Sequence, residues 1–202
     1  MSDRKRPQFH LASASPRRHE ILSGLGLAFS FGGVDLDESR LEDETVEAMV
    51  LRLARDKAIA ANGAQPANLP ILAADTIVVL GKRVFGKPAS EEDGLGMLAA
   101  LSGHCHRVIT AVALRQGNEM NTALSETAVQ FRDISPDEAR RYWHSGEPVD
   151  KAGSYAIQGL AGAFVESISG SYSGVVGLPV YETVQLLEAA GISILPAQDQ
   201  DD

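Results

Sequence analysis

The chain has 202 residues, of which 44% are hydrophobic, and a formal net charge of -9. That length suits one domain or two closely joined lobes, and the apolar content is enough for a packed core, which excludes a largely disordered chain. The acidic balance argues against duplex nucleic acid and anionic membrane as partners, since both are bound through basic patches.

The N-terminus, MSDRKRPQFH, is basic, but no apolar stretch follows it, so no signal peptide is expected and the cytoplasm is the expected address. Residues 1–8 and 197–202 are polar and are expected to form loose tails. A strand is expected from Phe9 to Ala12. It leads into Ser15 as helix N-cap and Pro16 as first helical residue, with Gly24 or Gly26 ending the helix. A second strand, Phe29 to Val34, runs into an acidic loop, Asp35 to Glu44. A long helix follows from Val46 to Ala61, with a buried stripe of Val46, Met49, Val50, Leu53 and Ala54.

Ile71 to Leu80 reads as a buried strand, too short to span a bilayer, turned back at Gly81-Lys82 into a hairpin through Val84 and Phe85. Ser90 with Asp93 resembles a capping box for a helix that runs to Leu101. Val108 to Leu114 and Ala123 to Phe131 read as antiparallel neighbours. Ser135-Pro136-Asp137-Glu138 starts a helix that stops at Gly146. A glycine-rich region, Gly153 to Gly177, precedes a last helix from Pro179 to Gly191. The single cysteine, Cys105, excludes an intrachain disulfide. Alternating strand and helix patterns in one domain over residues 1–202 point to an α/β or α+β class.

Several charged residues stand where packing is expected. Lys57 lies eleven positions after Val46, ~1100° of helix rotation, and so only ~20° from that apolar residue. By packing alone it reads as a lysine at the end of the stripe whose head snorkels to water. Arg52 and Arg55 fall on the opposite, solvated side. Asp75 sits inside a buried strand, where a lone carboxylate is costly unless paired, hydrogen-bonded or metal-bound. A structural aspartate and a functional one are equally open on this reading. The junction Ser13-Ala14-Ser15-Pro16-Arg17-Arg18 offers a helix N-terminus, hydroxyls and guanidinium forks suited to phosphate oxygens. Lys87 precedes a proline in a turn.

Other chemistries find no support. There is no GxxxxGK[ST] and no GxGxxG after a strand. His104, Cys105 and His106 have no zinc-ligand spacing and read as part of a half-exposed strand. No serine nucleophile elbow is present.

Taken together, the stretches LASASPRRHEIL, VLRLARDKA, AADTIVVLGKRVFGKP, SGHCHRVITAVAL, DKAGSYAIQGLAGAFV and SGSYSGVVGLPV resemble the Maf family of nucleotide pyrophosphatases, in the family's order, from Leu11 to Gly191. The resemblance implies a mixed, twisted sheet with flanking helices, in two lobes around a central cleft (Maf/ITPase-like). It implies hydrolysis of a nucleoside triphosphate to the monophosphate and pyrophosphate, with a divalent metal cation, Mg²⁺ or Mn²⁺, and leaves a homodimer open. Asp75 is then the proton acceptor. Ser13, Arg17, Lys57 and Lys87 bind phosphate, and Glu38 with Asp75 holds metal or water. Free aspartate is a weak base at neutral pH, with a pKa of ~3.9, so metal assistance matters more than basicity.

The family's branches differ at positions that here are Arg18, Thr76 and Gln158. This set resembles the dTTP/UTP branch; Trp, Gln and Glu mark a 7-methyl-GTP branch. The Gln158 amide carries a donor beside an acceptor, matching a pyrimidine O4 and N3–H. Two alternatives stay open: 7-methyl-GTP as the substrate, and a nucleotide-sensing regulator of septum formation that needs no turnover.

Overall fold

A computed structural model describes residues 6–61 and 69–195. Of the expected loose tails, residues 1–5 and 197–202 lie outside the described residues. Gln8 is held, its backbone N–H donating to the Ala28 carbonyl at 2.8 Å.

The elements in chain order are β1 (Phe9–Leu11), α1 (Pro16–Gly24), β2 (Phe29–Phe31), α2 (Val46–Ala60), β3 (Ile71–Leu80), β4 (Arg83–Phe85) and α3 (Glu91–Leu101). They continue with β5 (Cys105–Gln116), β6 (Glu119–Phe131), α4 (Pro136–Trp143), β7 (Val165–Ser169), α5 (Tyr172–Val176) and α6 (Val180–Ala189). One seven-stranded sheet runs β2-β1-β3-β5-β6-β7, with β4 also paired to β3. β1 is parallel to β2 and β3, and the remaining pairs are antiparallel, so the sheet is mixed.

Alternation along β3 assigns its residues to two faces. Ile71, Ala73, Ile77 and Val79 pack with Val50, Ala54 and Ala58 of α2. Leu72 and Ala74 pack on the other face with Leu22 of α1 and Leu187 of α6. Val78 joins a third cluster with Phe85, Leu98, Phe131 and Tyr142, built on α3 and α4. The first two clusters lie on opposite faces of β3, and the third fills the space between the sheet and α3 and α4. Burying one Leu or Phe contributes ~2 kcal/mol, so these clusters carry the fold. Where α3 meets α4 the approach is close. A Cβ on Gly94 would lie 2.2 Å from the Trp143 ring and 2.9 Å from Ser154 Oγ.

Helix starts follow the sequence, with local differences. Ser135 and Glu138 form the full capping box, and Glu138 also accepts from Arg132 at 2.8 Å. Ser90 accepts from the Asp93 N–H, but the Asp93 carboxylate reaches back to the Ala89 N–H, one residue beyond the box. Ser15 occupies the N-cap of α1 without a side-chain bond; its own N–H donates to Ser13 Oγ at 3.2 Å. β5 and β6 are longer than their apolar runs, because the hairpin at Gly117 lets polar residues such as Asn121 and Thr122 continue the ladder. The glycine-rich region holds 3-10 turns, α5 and the edge strand β7, whose exposed Glu166, Ser167 and Ser169 conceal the alternation.

Candidate active site

β5 covers one edge of β3 from Ile71 to Val79. On the other edge β1 reaches only Ile71 and Leu72, and β4 pairs only with Val78 to Leu80. Ala73 to Ile77 therefore border a gap in the sheet. A cleft of about 550 Å³ opens there, and Ser13, Arg17, Arg18, Glu38, Lys57, Asp75, Thr76, Lys87 and Gln158 all line it.

Asp75 projects to the α2 face, where its Oδ1 lies 2.5 Å from Lys57 Nζ. The same ammonium lies 2.6 Å from Glu38 Oε1. Lys57 is thus a bridge between two carboxylates, not a snorkelling surface lysine; its side chain is 11% exposed and that of Asp75 8%. The α2 helix also places Glu38. Arg52 donates to both oxygens of Glu44 at 2.7 and 2.9 Å and to the Ser39 carbonyl at 3.0 Å, clamping the acidic loop onto the helix. The expectation that Arg52 is merely solvated is corrected here; Arg55 is exposed as expected. Burial works against ionisation of Glu38, but the Lys57 hydrogen bond and charge, with Lys87 and Arg18 beyond, hold its carboxyl below the usual range.

Thr76, one residue on, projects to the opposite face. Arg18 approaches its Oγ1 through Nη2 at 3.4 Å and also donates to Ser13 Oγ at 3.2 Å and to the Gly177 carbonyl at 2.8 Å. Thr110 Oγ1 lies 2.8 Å from the Gly174 carbonyl and 2.9 Å from Thr76 Oγ1. A carbonyl only accepts, so the one Thr110 proton goes to Gly174, and Thr76 supplies the proton between the two threonines. Thr76 therefore presents a lone pair to the cleft. Burial draws the Arg18 guanidinium below its ordinary pKa, with Arg17 adding to the effect, while Asp75 and Glu38 pull the other way.

Arg17 lies 3.8 Å from Asp150 at the rim. Lys87 follows β4, in a turn tied to the 3-10 segment at Gly153, whose N–H donates to the Gly86 carbonyl at 3.0 Å. Tyr155 and Ile157 are buried and Gln158 is exposed; among the described residues the Gln158 side chain makes no hydrogen bond, so it is not spent on backbone.

Sequence reasoning missed two features, one in the cleft and one in the core. Lys151 lines the cleft with its side chain only 14% exposed, paired to Asp150. Burial works against ionisation of Asp150, but Lys151 and Arg17 hold its carboxyl below the usual range. The DK pair of the DKAG stretch was the available signal. The second is His106, fully buried instead of half-exposed. Its Nε2 lies 2.9 Å from the Tyr155 hydroxyl, and Phe131 stands edge-on at 4.8 Å.

Among the described residues no three acidic, histidine or cysteine side chains cluster as a metal cage. Asp75 and Glu38 each contact Lys57 through one oxygen, leaving each a second oxygen for another ligand. Two carboxylate oxygens completed by water and an anionic ligand's oxygens would suit a hard divalent cation such as Mg²⁺ or Mn²⁺, which rarely needs an all-protein cage.

Fold and cleft together define an α/β protein with a cation-lined pocket for a small anionic ligand, and with carboxylates where an ionic reaction can be assisted. The chain belongs to the Maf-like protein family, whose model matches residues 8–190. It is similar to proteins named dTTP/UTP pyrophosphatase: 51% identical to one from Hahella chejuensis (91% of this chain, 92% of the relative). Identity is 49% to one from Saccharophagus degradans (92% and 90%) and 48% to one from Alkalilimnicola ehrlichii (93% and 95%).

Proposed function

We propose that this protein hydrolyses dTTP and UTP to the monophosphate and pyrophosphate, clearing unwanted pyrimidine triphosphates from the nucleotide pool. The observation that carries the reading is the Asp75–Lys57–Glu38 bridge at a cleft that also collects Arg17, Lys87 and Lys151. It is supported by relatives of that name at about half identity over most of the chain.

Water attacks the α-phosphorus, a new P–O bond forms, and the bond to the bridging α–β oxygen breaks. Asp75 accepts the water's proton. Arg17, Lys57 and Lys87, with Ser13, bind the phosphates and stabilise charge on the departing pyrophosphate. Glu38 and Asp75 would hold a divalent cation, which when bound supplies charge neutralisation and a more acidic water. For the base, a uracil or thymine edge offers O4 beside N3–H. The Gln158 amide can donate to O4, and the Thr76 lone pair suits N3–H. Cytosine reverses both polarities; the unpartnered Gln158 amide can turn over to accept from N4, but Thr76, its proton held by Thr110, cannot donate to N3, so CTP should be the poorer substrate. Modified pyrimidines that keep O4 and N3–H fit the same edge.

The test is pyrophosphate release from a panel of triphosphates with Mg²⁺ or Mn²⁺, alongside Asp75→Asn. Metal-dependent release from dTTP and UTP, lost in a folded Asp75→Asn protein, is expected. Release only from 7-methyl-GTP would overturn the base assignment. No release from any triphosphate would overturn the enzymatic reading in favour of a nucleotide-sensing regulator.

A further inference from the structure

We infer that Glu147 is a positioning residue that sets the base-reading loop, an inference that rests on the reading that Gln158 contacts the base. Gln158 is exposed, so its place is fixed by the backbone on either side. On the C-terminal side, Glu147 Oε2 accepts from the Leu160 N–H at 2.9 Å and Oε1 from the Ala161 N–H at 3.3 Å. These are free donors at the start of the 3-10 turn Leu160–Phe164. On the N-terminal side, the Ala156 N–H donates to the Tyr142 hydroxyl at 3.1 Å, and that hydroxyl donates to Glu147 Oε1 at 2.7 Å. One carboxylate thus closes a bracket around residues 156–161, reaching two residues before Gln158 and two to three after it.

The surroundings fit that role. Gly159 leaves the space Glu147 fills: a Cβ there would lie 2.1 Å from Oε2. Burial, with Glu147 alongside, pushes the Tyr142 hydroxyl well above its ordinary pKa, so it stays a donor. Glu147 receives three donors and needs acceptors at both oxygens. Glu147→Gln preserves shape but replaces one acceptor with an NH₂ group that only donates, setting donor against donor inside the bracket.

The experiment measures kcat and KM for dTTP, UTP and CTP in Glu147→Gln, Gln158→Ala and the double variant. It adds the Ki of inorganic tripolyphosphate, which has no base, and amide exchange at Leu160 and Ala161. Glu147→Gln should raise KM for dTTP and UTP about tenfold with kcat within about threefold. Tripolyphosphate Ki should be unchanged, and little further loss should follow in the Gln158→Ala background. Exchange at Leu160 and Ala161 should accelerate. An unchanged KM, a parallel rise in tripolyphosphate Ki, or full additivity with Gln158→Ala would overturn the inference. A wild-type protein that cleaves no pyrimidine triphosphate overturns the base reading instead; exchange at Leu160 and Ala161 then decides the bracket, and unchanged protection refutes it. Should Glu147→Gln fail to fold, Tyr142→Phe, which keeps the carboxylate, should raise the same KM by a smaller factor, and no rise would refute the bracket.

Discussion

Replacing Lys57 with methionine removes a charge that two carboxylates share. At an effective dielectric of ~20 each contact near 2.5 Å carries roughly 6 kcal/mol of gross attraction. Most of that is offset by desolvation of Lys57 and Asp75, which are largely buried. The truncation cost is instead the charge left unpaired, ~3–5 kcal/mol for a buried partner. Glu38 is half-exposed and recovers its share by hydration, so the low end, ~3 kcal/mol, is expected. In a chain of this length that lowers Tm by roughly 6–12 °C. Urea and thermal melts of Lys57→Met, Asp75→Asn and the double variant read it directly. Asp75→Asn removes the orphaned charge, so the two losses should fail to add by ~2 kcal/mol. A Lys57→Met protein within ~0.5 kcal/mol of its parent, or strict additivity, would refute the bridge and restore the snorkelling lysine.

Three further outcomes follow. Burial holds the His106 imidazole down at about 4. The unfolded chain takes up a proton as pH falls from ~6.5 towards 4 and the folded one does not, so ~3 kcal/mol present above pH ~6.5 is lost across that window. His106→Leu should flatten the fall in urea midpoint between pH 7 and 4, and an unaltered slope would count against it. Gly94→Ala should cost ~1–3 kcal/mol by pressing on Trp143, and, because Trp143 is the single tryptophan, should change intrinsic fluorescence; an unmoved spectrum and melt would contradict the close packing. Arg18→Trp, Thr76→Gln and Gln158→Glu together should move preference from dTTP and UTP towards 7-methyl-GTP, and an unchanged preference in the same panel would remove these residues from base choice.

Much of this was legible in residue order. Periodicity and caps located α1 to α4 and α6, because signals such as Ser135-Pro136 and Ser90 act locally, on N–H groups within one turn, but not the five-residue α5. Asp75 and Lys57 could be flagged as misplaced, but which carboxylate Lys57 meets depends on the register of α2 over β3, a tertiary property. β7 was lost because an edge strand with one solvated face has too few apolar residues to show a period. Arg52 looked solvated because its partner, Glu44, lies in a loop with no period at all. His106 was misjudged because its burial comes from Tyr155 and Phe131, distant in sequence.

Strand parity has an evolutionary consequence. Asp75 and Thr76 are consecutive, yet β3 sends one to the α2 side and the other to the α1 and α5 side, and the gap in the sheet exposes both to one ligand. The proposed proton acceptor and the proposed base contact therefore have separate contact partners, Lys57 and through it Glu38 for one, Arg18 and Thr110 for the other. On that proposal, mutation can retune substrate choice on one side while the proposed bond-breaking groups on the other keep their packing, so a lineage can diversify its diet without rebuilding its chemistry.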